Sequence, residues 1–161
     1  MSQDEIHSKR LKALVRHIEN VQKNCEKLSE ALIERGEDAL AHRLIAVSYL
    51  HDNSKFYSIE WDYLNEETKK DNPELFQVAL KNHWANNPHH VQYWANGIYD
   101  MPRVYKCEML ADWSARSSEF GTSVRDYLKD VAIKQFGITV QHRIYKEIKD
   151  LADLLLEQPF K

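Results

Sequence analysis

Apolar side chains recur at three- and four-residue spacing from the start of the chain. Leu11, Leu14, Val15, Ile18, Val21, Cys25, Leu28, Leu32 and Ile33 mark one face of a long amphipathic helix, or of two helices in series, over residues 6–35. Gly36 is a natural stop. A second helix is predicted over 39–50, where the run Leu44, Ile45, Ala46, Val47 reads as buried. Residues 53–72 show no period and read as irregular, with Phe56, Trp61 and Tyr63 to pack and a solvated charge run at 66–71. Asn72-Pro73 opens the next helix, Pro being suited to a first turn, and Leu75, Phe76, Val78, Ala79 and Leu80 carry it to His83. Asn96-Gly97 marks a turn, and Met101-Pro102 opens a helix whose Val104, Cys107, Ala111 and Ala115 face the core. Two further helices are predicted over 123–135 and 139–156, the second with the stripe Val140, Ile144, Ile148, Leu151 and Leu155. No repeat, low-complexity tract or linker divides the chain.

Composition narrows this picture. With 161 residues the chain is expected to form one domain, 1–161, since domains commonly run about 100–150 residues. Four Gly and four Pro leave little material for the turns of a many-stranded fold, so the expected class is all-α. The net charge of -3 and pI near 6.2 argue against nucleic-acid binding built on many phosphate contacts. Cys25 and Cys107 are too few and too far apart for a disulfide framework or a thiolate zinc site; they read as core thiols in a reducing compartment. No stretch approaches the roughly 18 consecutive apolar residues of a membrane span, and the first residues lack a signal peptide's basic and apolar regions, so the expected location is the cytoplasm. The aromatic segments around 56–63 and 93–105 form either core or the surface of a homodimer.

Several polar residues sit where apolar ones are expected. His17 shares the apolar face of the first helix, three residues after Leu14 and four before Val21; alone, such a histidine is an ordinary core residue. His42 falls on the opposite side from His51 and reads as surface. His51-Asp52 ends the second helix. A carboxylate near the core is costly unless paired or bound to a cation, so Asp52 either forms a salt bridge with Lys55 or Arg43 or holds a metal. His83, His89 and His90 fall within eight residues, as a polar loop or as a ligand cluster. Glu108 and Asp112 lie four apart on one side of a helix, where they repel unless a cation or base stands near them. A solvated acidic face is the plain alternative, but Met109, Leu110, Ala111 and Trp113 point to partial burial.

In chain order the candidates run His17, His51-Asp52, His83, His89-His90, Asp112. This resembles the HD-domain superfamily of metal-dependent phosphohydrolases, in particular its two-metal members, and His51-Asp52-x-x-Lys55 is similar to their His-Asp-x-x-Lys signature. A closer resemblance is to a small family of uncharacterised HD-like proteins from bacterial and phage genomes. It is carried by His17-x-x-x-Val21, His51-Asp52-x-Ser54-Lys55-Phe56, Glu60, His83-x-x-x-Asn87-x-His89-His90-x-x-Tyr93-Trp94, Met101-Pro102 and Glu108-Met109-x-x-Asp112. These span a motif-bearing core at 17–112, while the helices within 123–157 carry packing alone.

The resemblance implies a single-domain HD-type helical bundle more firmly than it implies a reaction. It implies His17, His51, Asp52 and Asp112 at one metal, and His83, His89 and His90 at a second, with Asp52 as the bridge and one of the last pair turned to substrate. Imidazole and carboxylate ligands without thiolates suit Mn²⁺, Fe²⁺, Co²⁺, Ni²⁺ or Zn²⁺. One or two such ions activate water and clamp a phosphoryl group. Lys55 would neutralise phosphate oxygens, or is a surface lysine; Glu108 would fix a ligand imidazole or act as general base. Asn87, Tyr93 and Trp94 would line the substrate pocket, with core packing as the alternative for Trp94. The expected activity is hydrolysis of a nucleoside mono- or triphosphate or a signalling nucleotide. Two other readings stay open: a di-iron HD-type oxygenase, and a catalytically idle HD scaffold that binds or sequesters a nucleotide or a partner protein.

Overall fold

A computed structural model describes residues 2–157, and these form a single all-helical domain with no strand among them. Eight α-helices follow in order: α1 (Gln3–Glu34), α2 (Asp38–Ser48), α3 (Ser58–Tyr63), α4 (Glu66–Asp71), α5 (Pro73–Asn86), α6 (Arg103–Phe120), α7 (Val124–Lys134) and α8 (Arg143–Glu157). Short 3-10 turns at Asn53–Phe56, Val91–Tyr93 and Gly97–Tyr99 connect them.

The first 32 helical residues form one helix, because no Gly or Pro interrupts them and a capping box between Ser2 and Glu5 satisfies the first turn. Val21, Cys25, Leu28 and Leu32 are fully buried where α1 packs against α2, α6 and α8. The apolar face is not buried along its whole length: Leu11, Val15 and Ile33 are exposed. Near its start α1 meets α3 instead, with the Arg10 guanidinium 4.6 Å above the Trp61 ring and bonded to the Glu60 carbonyl.

At the centre lies α6. Val104, Cys107, Met109, Leu110, Ala111 and Ala115 are buried around nearly its whole circumference, as a helix enclosed by others requires. It runs antiparallel to α1, since Asn24 bonds to the Ala111 carbonyl while His17 reaches Glu119. Burial of Ile144, Ile148, Leu151 and Leu155 seats α8 against α1, α6 and α7. Val140 falls outside that helix and is exposed, because α8 begins only at Arg143.

Other expectations need correction. Residues 53–72 are not irregular: they hold a 3-10 turn, α3 and α4, helices of six residues each, too short to display a period. Ending at Ser48, α2 buries Leu44 of the apolar run and exposes Ala46. As anticipated, α5 starts at Pro73 on an Asn72 cap, but it runs on to Asn86. Cys25 and Cys107 are buried free thiols, and His42 is exposed. Trp94 and Tyr105 pack against the core, whereas Tyr57, Tyr63, Tyr93 and Tyr99 are exposed. No helix among the described residues is long and apolar enough to cross a membrane.

Candidate metal centre

The turn after α2 sets the site. Tyr49 and Leu50 face solvent, and the chain then reverses inward so that His51 and Asp52 are each 2 % exposed. The reversal puts Asp52 in the left-handed region, at φ 55 and ψ 17, which costs an L-residue on the order of 1 kcal/mol and which Asp tolerates better than most. Around this turn gather His17 from α1, His83 from the last turn of α5, His89 and His90 from the loop after Pro88, and Glu108 and Asp112 from α6.

Their inner atoms converge. Asp52 Oδ1 lies 3.4 Å from His83 Nε2 and 3.6 Å from His89 Nε2, while Asp52 Oδ2 lies 3.9 Å from His17 Nε2 and 3.7 Å from His51 Nε2. Asp112 Oδ1 stands 3.0 Å from His17 Nε2 and 3.9 Å from His51 Nε2. The Nε2 atoms of His17, His51 and His89 and the Oδ1 atoms of Asp52 and Asp112 are buried without a hydrogen-bond partner. Buried polar atoms are almost always paired, so five unpaired ones aimed at one another require explanation.

The outer atoms supply one. His17 Nδ1 is 2.9 Å from Glu119, His51 Nδ1 2.9 Å from Glu108, and His83 Nδ1 2.8 Å from Glu60, with Glu108 also 3.4 Å from His89 Nδ1. A carboxylate behind an imidazole accepts from Nδ1–H, which fixes the tautomer with the Nε2 lone pair pointing inward. His17 Nε2 and Asp112 Oδ1 therefore face each other as two acceptors, an arrangement that a cation between them would turn from repulsive to attractive. Three groups lie close enough to hold a metal ion: Asp52 with His83, His89 and His90, His17 with His51 and Asp112, and His51 with His89 and Glu108, the last being the carboxylate found behind both imidazoles.

Charge points the same way. Asp52, Glu60, Glu108 and Asp112 are four carboxylates at or near full burial, and the ammonium of Lys55, 2.6 Å from Asp52 Oδ2, is the cation among them. Burial pushes the Asp52 carboxyl upward, but Lys55 and the surrounding imidazoles outweigh it and hold the group well below the usual carboxylate range. Asp112 is likewise held low, burial being overcome by His17, His51 and His89. Burial would lower His89, yet Glu108, Asp112 and Asp52 raise it. His90 goes the other way, driven down to about 2 by burial and by the neighbouring His89 and His83, and is neutral.

All seven histidines and aspartates expected as ligands meet here. Glu108 backs two imidazoles, and Lys55, with its side chain 20 % exposed, sits on Asp52 at the edge of the cluster. Of the three further residues expected to line a pocket, Asn87 is buried directly behind His83. The Asn87 amide donates to Ser54 Oγ and to the His83 carbonyl, so it braces the end of α5. Trp94 donates its ring N–H to the Pro88 carbonyl and packs at a tilt against Tyr105 on the edge of the core; Tyr93 is exposed beside it. Two carboxylates emerge as supports. Glu60, quoted in the resemblance but given no role there, is fully buried and accepts from Ser54 and Asn82 besides its contact with His83. Glu119, seven residues after Asp112 and so two turns along the same face of α6, could have been found from that spacing.

No curated protein and no solved structure matches the chain. A family model does, over residues 6–154, a stretch that includes every side chain of the cluster. The chain accordingly belongs to the family of unknown function DUF5662.

Proposed function

We propose that this chain is a metal-dependent phosphohydrolase of the HD type that acts in the cytoplasm on a nucleotide or a nucleotide-derived phosphoester. The observation that carries the reading is the set of five buried, unpaired lone-pair atoms, three of them on imidazoles backed by carboxylates. Divalent transition metals held there would supply an activated water and positive charge for a phosphoryl group. Asp52 offers one oxygen to the His17 and His51 imidazoles and the other to those of His83 and His89, as a shared carboxylate must. Glu108, Glu60 and Glu119 orient the imidazoles and, by accepting from Nδ1–H, set the tautomer that aims Nε2 inward. Lys55 stands between the buried ligands and solvent, where its ammonium can pass from Asp52 to the oxygens of an arriving phosphate.

The nucleotide part rests on the similarity of His51-Asp52-x-x-Lys55 to the phosphohydrolase signature. The exposed rings of Phe56 and Tyr57, directly after Lys55, offer faces on which a base can stack. The test is turnover by purified protein with Mn²⁺ or Co²⁺ against a panel of nucleoside mono- and triphosphates and cyclic nucleotides. Phosphate release that disappears in His51→Ala and Asp52→Ala is expected. Tight nucleotide binding with no release would replace hydrolysis by sequestration, and oxygen consumption by a mixed-valent iron form would replace it by oxygenation.

A further inference from the structure

The two ligand groups built on Asp112 and on Asp52 are not equally ready for a cation. In the first, His17 Nε2, His51 Nε2 and Asp112 Oδ1 have no partner, and both imidazoles are held from behind, by Glu119 and Glu108. In the second, Asp52 Oδ1 and His89 Nε2 are free as well, but His83 Nε2 and His90 Nε2 lie 2.9 Å apart and bond to each other. The direction of that bond follows from Glu60. With its Nδ1 proton donated to Glu60, His83 accepts at Nε2, so His90 donates its Nε2–H. A neutral imidazole has a single N–H, so His83 has its inner lone pair engaged and His90 has none on that side.

His90 differs from the other four imidazoles in two further ways. His17, His51, His83 and His89 each have Nδ1 within 3.4 Å of a carboxylate, and among the described residues no carboxylate is found behind His90. It is also the partly exposed one, the other four being buried. An imidazole with no anchor behind it and an edge toward solvent is free to turn about its own side-chain bonds.

We propose that the centre fills in two ordered steps, with His90 as an exchangeable ligand. The inference rests on the metal-centre reading above. His17, His51 and Asp112 hold the first divalent cation as they stand, and the Asp52 oxygen that faces them, Oδ2, joins once the Lys55 ammonium 2.6 Å away moves off it. His83, His89 and the other Asp52 oxygen complete a second position only when His90 releases His83, shifts its proton to Nδ1 and turns its Nε2 lone pair inward. The bond broken is His90 Nε2–H to His83, and the displaced proton stays on His90.

This order changes what the site attracts. Asp52, Glu60, Glu108, Asp112 and Glu119 against Lys55 and Arg116, the partner of Glu119, leave a formal excess of three negative charges on these side chains. One divalent cation leaves the site negative by one, and a second makes it positive by one. An anionic phosphate is therefore repelled by the singly filled centre and attracted by the doubly filled one, so the turn of His90 gates the arrival of phosphate.

The experiment titrates the metal-free, full-length chain with Co²⁺, followed by calorimetry and visible absorption, and then adds inorganic phosphate. The wild type is expected to bind one ion and then another in resolved steps, the first at least about tenfold tighter, and to bind phosphate only after the second. His90→Ala and His90→Gln should keep the first step within about twofold, weaken the second by about tenfold or more, and lose phosphate binding. His17→Ala should remove the tight step. A single two-ion step in the wild type, or His90 variants that weaken the first step as much as the second, would overturn the ordered filling. Absence of any Co²⁺ binding would sink the metal-centre reading along with it. Ordered filling without turnover on any nucleotide would instead sink the hydrolase assignment and leave His90 as proposed.

Discussion

One oxygen of Glu108 lies 2.9 Å from His51 Nδ1 and 3.4 Å from His89 Nδ1, so a single carboxylate on α6 aims two imidazoles that reach it from separate loops. Its own acidity reflects this: burial raises it, and the two imidazoles lower it further than burial raises it. Glu108→Ala should weaken Co²⁺ binding by about 10–100-fold, and Glu108→Gln by less, because the amide oxygen still accepts one Nδ1–H. Circular dichroism should show the helices intact in both. Unchanged Co²⁺ affinity in Glu108→Ala would mean that the pairing is structural only.

Asp52 should matter both with and without metal. Asn suits the left-handed backbone as well as Asp does, so metal-free Asp52→Asn loses only the charge. Lys55 and the surrounding imidazoles stabilise that charge, so the melting temperature should fall below that of metal-free wild type. Excess Co²⁺ at about 100 times Kd should add about 2.7 kcal/mol to the wild type and nothing to the variant. A metal-free variant that melts at or above the wild type would mean that crowding among the buried carboxylates outweighs the Lys55 pair.

Glu60 is a stability site. It is fully buried and receives Ser54, Asn82 and His83. Glu60→Ala strands three polar partners, each costing about 1–3 kcal/mol. Urea unfolding of the metal-free protein should show a loss of about 3 kcal/mol or more. A loss under about 1 kcal/mol would show that the partners find other bonds.

The two cysteines should be inert in the native protein. Both are fully buried, and burial, with lesser effects from nearby charges, raises Cys107 to about 12, so neither holds a thiolate at neutral pH. A thiol reagent should modify neither at pH 8 and both in denaturant. Rapid native labelling would mean that the core between α1 and α6 opens often.

The helical candidate ligands were legible in the chain because they stand among apolar positions of fixed helical spacing: His17 with Val21, Asp112 with Ala111 and Ala115. The loop histidines were legible through density alone. What the chain did not reveal is the outer ring of carboxylates. Glu60 lies in a six-residue helix with no period to place it, and Glu119 sits among Arg116, Ser117 and Ser118, where an acid looks like ordinary surface. Periodicity also names a helical face without saying how far its neighbours extend. That is why Leu11 and Val15 are exposed on the same stripe that buries Val21 and Leu28.

The left-handed turn at residue 52 has a consequence for how this protein can vary. Such a backbone admits glycine, asparagine and aspartate at small cost and penalises longer or branched side chains. Of those three only aspartate carries a charge. A glutamate there would have to accept the backbone penalty and fit an additional methylene into a space already filled by four imidazoles, whereas a glutamate at 112, in regular helix, meets only the second difficulty. The shape of the chain thus chooses the acid at that corner, and descendants that lose it cannot regain the charge through its nearest chemical substitute.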